Sequence, residues 1–317
     1  MPDTTASLHA RDDIPRGIML MILGALLVPG LDAAAKMLGE RHAMPAGEIA
    51  LLRFVLQSLM VFPFLIGREG WQSLRIQNVG LNLFRGVALG VASFLFFLAL
   101  KNMPLADATA IFFVEPMIVT LLSAVLLKET VGWRRLTAVF VGFLGAVIVI
   151  RPNFVALGLV ATLPLMTAAL VALYLVLSRH LSGRTSPLAM HFYAGIGGSV
   201  SMLVICLVGT QAGIAELGLE VPRGAAVWGL LLTTGLFATV AHLLFIQAYR
   251  LAPASLLAPF GYFEIVSATI LGFLLFGDMP DAGKGIGIAI IVASGVYIAW
   301  RENRLAARRS SLSPERG

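Results

Sequence analysis

Apolar runs of about 18 to 23 residues recur from near residue 17 to Trp300, and this feature constrains the fold more than any other. A helix rises 1.5 Å per residue, so each run is long enough to cross a hydrocarbon core about 30 Å thick. Spans are predicted near 17–35, 47–66, 79–98, 106–127, 134–150, 156–178, 187–209, 226–248, 254–276 and 283–300. Only 13% of the residues are charged, against about 25% in a soluble domain, so the runs do not read as soluble cores. Many of the 32 glycines fall inside the runs, where they suit close helix packing in lipid. The expected fold class is an all-α polytopic (multi-pass) membrane protein with ten transmembrane helices.

Ten crossings put both termini on one side of the bilayer. With that side cytoplasmic, the inner segments carry sixteen basic residues, among them Arg68, Arg75, Arg134, Arg135 and five arginines of the tail, and the outer segments carry six. That imbalance predicts cytoplasmic termini, because Lys and Arg collect on cytoplasmic loops. The same rule accounts for the net charge of +6 without invoking nucleic acid. Trp71, Trp133, Trp228 and Trp300 fall near span ends, as an interfacial belt requires. Residues 1–16 are polar and lack the basic start and small-residue cleavage site of a signal peptide. Cys206, the single cysteine, excludes an intrachain disulfide and any cysteine-built metal site.

The chain also repeats itself. "LALKNMPLADATAIFFVEPMIVTLLSAVLLKE" (98–129) aligns with "IQAYRLAPASLLAPFGYFEIVSATILGFLLFGD" (246–278), matching Lys101 to Arg250, Pro104 to Pro253, Glu115 to Glu264 and Glu129 to Asp278. All four pairs share an offset of 149. The repeated unit spans five crossings, an odd number, so the two copies must face opposite ways across the membrane. Inverted repeats of this kind mark secondary transporters, with a substrate site near mid-depth between the halves. The expected organisation is a tail over 1–16, repeats over 17–150 and 156–300 around a central cavity, and a basic cytoplasmic tail over 301–317.

The stretch "PLADATAIFFVEPMIVTLLSAVLLKE" followed by "GWRRLTAVFVGFLGAVIVIRP" resembles the five-helix module of EamA-type carriers of the drug/metabolite transporter (DMT) superfamily. "LLRF" at 51–54 is similar to a recurrent second-helix arginine motif of such proteins. The second half departs from the pattern: "FGD" stands for the usual xGE, and no arginine corresponds to Arg53. The resemblance implies a ten-helix bundle in the bacterial inner membrane that moves small organic metabolites without ATP. Relatives carry amino acids, riboflavin, S-adenosylmethionine, metallophores and drugs. It favours export of an amino-acid-like or drug-like solute; uptake of riboflavin or an S-adenosylmethionine-like cargo is the alternative, faintly suggested by "LDAAAKML" in the first span.

Polar residues inside the runs are the site candidates. Glu115 lies nine residues into its predicted span and Glu264 ten, each about 14 Å deep. A carboxylate there must be protonated, paired or wet. Either acid could load a proton or hold a cationic substrate group, and a neutral packing role is the competing reading. Pro116 and Pro259 remove helix hydrogen bonds close to them, which would free carbonyls or bend the helix. Asp32 and Arg53 fall at similar depth in the outer half, where they could pair; Arg53 could otherwise meet a substrate carboxylate or phosphate. Lys36, one turn beyond Asp32, is a rival partner for it, and Arg85 is expected to snorkel toward headgroups. His191 and His242 are further titratable candidates, with packing the default for each. Phe112, Phe260, Tyr174, Tyr193 and Tyr262 sit near mid-depth and would suit stacking on a flat ring. No His/Cys/Asp cluster has metal-ligand spacing and no motif calls for a cofactor.

Three functional classes follow. A secondary carrier is favoured; its expected partners are a small-molecule substrate, protons as the coupling ion and membrane lipid, in a monomer or homodimer. An intramembrane enzyme lacks a nucleophile beside a base, and a channel lacks a filter-like carbonyl motif.

Overall fold

The computed structural model describes residues 13–277, apart from 104, 130 and 151–157, and part of 283–300. The predicted tails over 301–317 and most of 1–16 lie outside the described residues, as do Asp278 and several positions of the last predicted span. The described chain is helical. Its elements are α1 (Ile14–His42), α2 (Ala46–Glu69), α3 (Val79–Asn102), α4 (Leu105–Phe112), α5 (Glu115–Leu126) and α6 (Trp133–Ile150). They continue with α7 (Thr162–Leu181), α8 (Pro187–Gln211), α9 (Ala225–Leu251), α10 (Ala254–Leu257) and α11 (Glu264–Leu271). No strand occurs among the described residues.

Among the described residues, seven stretches are long and apolar enough to cross a bilayer: 14–42, 46–69, 79–102, 159–181, 187–211, 225–251 and 258–276. Local signals set their ends. Asp13 Oδ1 accepts the Arg16 N–H (3.3 Å) at the start of α1, and Ser186 Oγ accepts the Ala189 N–H (3.2 Å) at the start of α8. Both serve amide groups that a helix start leaves unpaired. The helices are apolar on every side, so large side chains face outward as well: Leu59, Val125 and Val208 are all more than half exposed. That is the pattern of a helix surrounded by hydrocarbon.

The predicted span over 106–127 is interrupted where Pro116 removes a helix hydrogen bond. α4 stops at Phe112, Phe113 and Val114 form a turn, and α5 restarts at Glu115. Pro116 explains the break, since it offers no N–H to the Phe112 carbonyl four residues back and its ring crowds that carbonyl. The counterpart stretch behaves alike. α10 ends at Leu257, a tighter turn runs over Ala258–Phe263 around Pro259, and α11 restarts at Glu264. Both membrane acids therefore open a half-helix.

Packing within the bundle relies on missing side chains. α3 lies on α8 through Gly86 and Gly90, spaced as GxxxG, facing Ala194, Gly197 and Gly198. A Cβ at Gly86 would fall on the Ala194 backbone, and one at Gly197 on the Leu83 carbonyl. Such close approach is how helices associate where lipid removes the hydrophobic drive between them. α1 pairs with α9, Gly24 accepting the Phe245 ring and Gly30 the Phe237 ring. Cys206 is fully buried on α8, beside Gly47 of α2.

One polar tie fastens the loop after α8. Glu216 takes the Lys101 ammonium on Oε1 (2.6 Å) and the Ala46 N–H on Oε2 (3.1 Å), so it links α3 to the start of α2. Glu216→Ala is expected to cost about 1 kcal/mol, mostly as a lost helix cap because the ion pair is part-exposed. A lower melting temperature in detergent measures it.

Candidate functional site

The polar residues of α1, α2, α5 and α11 meet at one cavity inside the bundle. Its walls are mainly apolar. Phe96 and Phe97 of α3, Phe112 of α4, Phe237 and Phe245 of α9 and Leu175 of α7 are among the residues that line it. Asp32, Arg53, Ser93, Glu115, Thr167, His242 and Glu264 are the polar groups set into it.

Arg53 is 3% exposed and held by neutral partners. Its guanidinium donates to Ser93 Oγ and to His242 Nε2, the latter at 2.8 Å, and lies 4.7 Å from the Phe54 ring centroid. Arginine has no acceptor, so His242 Nε2 must accept and the ring proton sits on Nδ1. Neither that Nδ1 nor Arg53 Nε has a hydrogen-bond partner. Ser93 Oγ passes its own proton to the Leu89 carbonyl (2.9 Å), which orients its lone pairs to Arg53. Among the described residues no ion pair joins Asp32 to Arg53, although both line the cavity.

Asp32, Glu115 and Glu264 are all buried, at 5%, 6% and 7% exposure. Glu115 Oε1 has no hydrogen-bond partner. The two helix breaks lie against each other: a Cβ at Gly261 would sit 3.6 Å from Pro116 Cγ and 3.8 Å from Glu115 Oε2. Two half-helix starts and two acids thus converge at one point of the bundle, next to a guanidinium that none of the acids neutralises by contact.

The sequence candidates divide accordingly. Asp32, Arg53, Glu115, Glu264, His242 and Phe112 line the cavity. His191 lies outside the lining, its ring stacked on His242 at 6.1 Å. Tyr174, fully buried, stands edge-on to His242 at 5.4 Å. Four others are corrected in position. Lys36 pairs with Glu40 (2.5 Å) and donates to the Leu100 carbonyl (3.2 Å), so its partner one turn away is Glu40 and not Asp32. Tyr193 donates to the Leu74 carbonyl (2.6 Å) and pins the loop after α2. Tyr262 turns to the Val139 carbonyl of α6 (3.2 Å), and Phe260 is buried against Phe263. Arg85 is corrected too: it is 0% exposed and donates to Ser178 Oγ (2.6 Å) and the Met190 carbonyl, with no reach to a headgroup. Sequence reading missed Ser93 and the phenylalanines of α3 and α9, although the α3 pair stands three and four residues beyond Ser93, one turn along the same helix. Among the described residues no group of three or more possible metal ligands occurs.

The bundle is that of a multi-pass membrane protein, and its family and relatives point to a transporter rather than an enzyme. The EamA-like transporter family profile matches residues 15–151 and again 158–300. The chain belongs to the EamA-like transporter family. It is 27% identical to a riboflavin transporter of Vibrio cholerae, over 94% of this chain and 97% of that one. It is 24% identical to an S-adenosylmethionine uptake transporter of Rickettsia felis, over 92% and 95%. A pseudopaline exporter of Pseudomonas aeruginosa shares 27% identity over 91% and 97%. A crystal structure shares the fold at a TM-score of 0.73 and 19% identity, covering 93% of this chain and 99% of its own.

Proposed function

We propose that the protein is a secondary carrier of a small organic solute that bears a flat ring and an acceptor or anionic group. It works by alternating access between two five-helix halves, 17–150 and 156–300, of opposite orientation. The halves lie in the bacterial inner membrane with both termini cytoplasmic. The observation that carries this reading is a buried guanidinium and three buried acids sharing one aromatic-walled cavity without pairing to each other. Buried charges left without ionic partners are costly in lipid and are kept where a ligand or ion uses them. The offset-149 repeat and the matched half-helix starts at Glu115 and Glu264 support the two-half arrangement.

The wall favours one cargo class. Five phenylalanines beside few polar groups suit a planar heterocycle better than a compact amino acid, so riboflavin-like or nucleoside-like molecules are preferred here over amino-acid-like export. Two of the three relatives described above carry such names. Direction follows the gradients of cargo and coupling proton, because a secondary carrier is reversible. Saturable counterflow of riboflavin, S-adenosylmethionine or amino acids in proteoliposomes tests the reading. Product formation without vectorial movement, or flux without saturation, would overturn it.

In this reading Glu115 loads the coupling proton, since its Oε1 has no protein donor and it opens a half-helix at the cavity. Glu115→Gln is expected to leave exchange of bound cargo intact while removing the pH dependence of net uptake. The two are measured side by side in liposomes with and without a pH gradient. A pH dependence unchanged from wild type removes Glu115 from coupling.

A further inference from the structure

A second basic centre lies outside the cavity lining. Arg85 of α3 is fully buried, and among the described residues no acidic side chain pairs with it. Its two terminal nitrogens meet neutral acceptors, Ser178 Oγ and the Met190 carbonyl, while Nε has no partner. The guanidinium lies 4.8 Å from the centroid of the Tyr174 ring. Tyr174 in turn touches His242, the partner of Arg53. Those two rings link the two arginines in a chain of contacts.

Other buried polar atoms in this layer are equally unsatisfied. Both ring nitrogens of His191, Nδ1 of His242 and Oε1 of Gln57 lack a hydrogen-bond partner, where folded proteins satisfy nearly all such atoms. His191 is tied in through its own carbonyl, which accepts from Gln57 Nε2 at 3.2 Å, and through the stacking on His242. A strut needs no charge: a buried cation held only by neutral groups carries a desolvation cost that an apolar residue would avoid. Guanidinium is also the group best shaped for a carboxylate or phosphate.

We propose that Arg85, with His191, is a second anion-binding site that receives the anionic group of the cargo from Arg53 when the bundle opens at the end where α1 and α3 begin. The proposal rests on the carrier reading for the hand-over, and on the buried side chains alone for the site. In this conformation Tyr174, Ser178 and Met190 close over the guanidinium; an anion that binds it draws the population toward the opened state. The site takes a phosphate or carboxylate and discriminates against a neutral analogue.

Inorganic phosphate serves as the probe. The full-length protein in detergent is expected to show a saturable rise in melting temperature with phosphate, beyond that given by choline chloride of equal ionic strength. Arg85→Met should lose that rise and should melt no lower than wild type without phosphate, because it removes an uncompensated charge. Arg85→Lys, which keeps the charge without the fork, should retain a weaker rise and stands in should the methionine variant not fold. In liposomes, Arg85→Met should lower counterflow of riboflavin 5′-phosphate at least tenfold more than counterflow of riboflavin. A wild-type melting temperature indifferent to phosphate overturns the site, as does an Arg85→Met protein that melts far lower with an unaltered phosphate response. Equal losses for the two flavins overturn the hand-over. Absence of counterflow for both in wild type refutes this cargo class for the carrier, while the melting series still decides the site.

Discussion

Arg53→Ala is expected to raise the KM of an anionic or strongly accepting cargo at least about 30-fold, with a smaller rise for an analogue that lacks the acceptor. The reason is geometric. Arg53 is fixed by Ser93 and His242 yet keeps Nε free at a cavity wall, so it is positioned before cargo arrives. Truncating one member of a buried charged contact costs about 2–5 kcal/mol, and ~2 kcal/mol is roughly 30-fold in affinity. The alanine also strands His242 Nε2, so a folding control by size-exclusion chromatography belongs with the kinetics. Arg53→Lys should recover only part of the loss, because an ammonium cannot hold Ser93, His242 and a ligand together in one plane. A KM that stays at the wild-type value for every cargo makes Arg53 a structural strut.

The second large effect concerns stability. Gly86→Val should leave little folded protein, and Gly86→Ala should cost about 1–3 kcal/mol as an overpacked contact. A Cβ at Gly86 meets the carbonyl oxygen, Cα and carbonyl carbon of Ala194, all backbone atoms that cannot rotate away. α3 and α8 would have to part, and with them Gly90 from Gly198 and the Arg85–Met190 contact. Gly80, by contrast, has nothing near its added Cβ, so Gly80→Ala on the same helix should be tolerated. Detergent-solubilised yield and melting temperature compare the two. Equal behaviour of Gly86→Ala and Gly80→Ala would show that the α3–α8 seam does not depend on backbone contact.

Depth along a helix was legible in the sequence, and rotation about its axis was not. Counting residues into a run placed Glu115, Glu264 and Phe112 near mid-depth and matched Asp32 to Arg53 in the outer half, and all five line the cavity. The same count placed Tyr193 and Tyr262 near that level, yet each turns its hydroxyl to a carbonyl elsewhere. Runs that are apolar all round carry no periodicity to show which face looks inward. Arg85 misled for a related reason. Its position near a helix end suggested reach to the headgroups, but lateral neighbours decide exposure, and α7 and α8 enclose it. Lys36 had acids one turn away on both sides, Asp32 and Glu40, and spacing alone could not choose between them. The prolines gave a correct warning: the chain breaks where Pro116 and Pro259 disrupt it.

Cys206 supplies a practical dividend. As the single thiol of the chain and wholly sheltered from solvent, it leaves the native protein silent toward maleimide reagents. Any cysteine introduced at a loop becomes the sole attachment point for a spin label or fluorophore. Pairs of such labels across the bundle would report distances during turnover without first stripping the wild-type background.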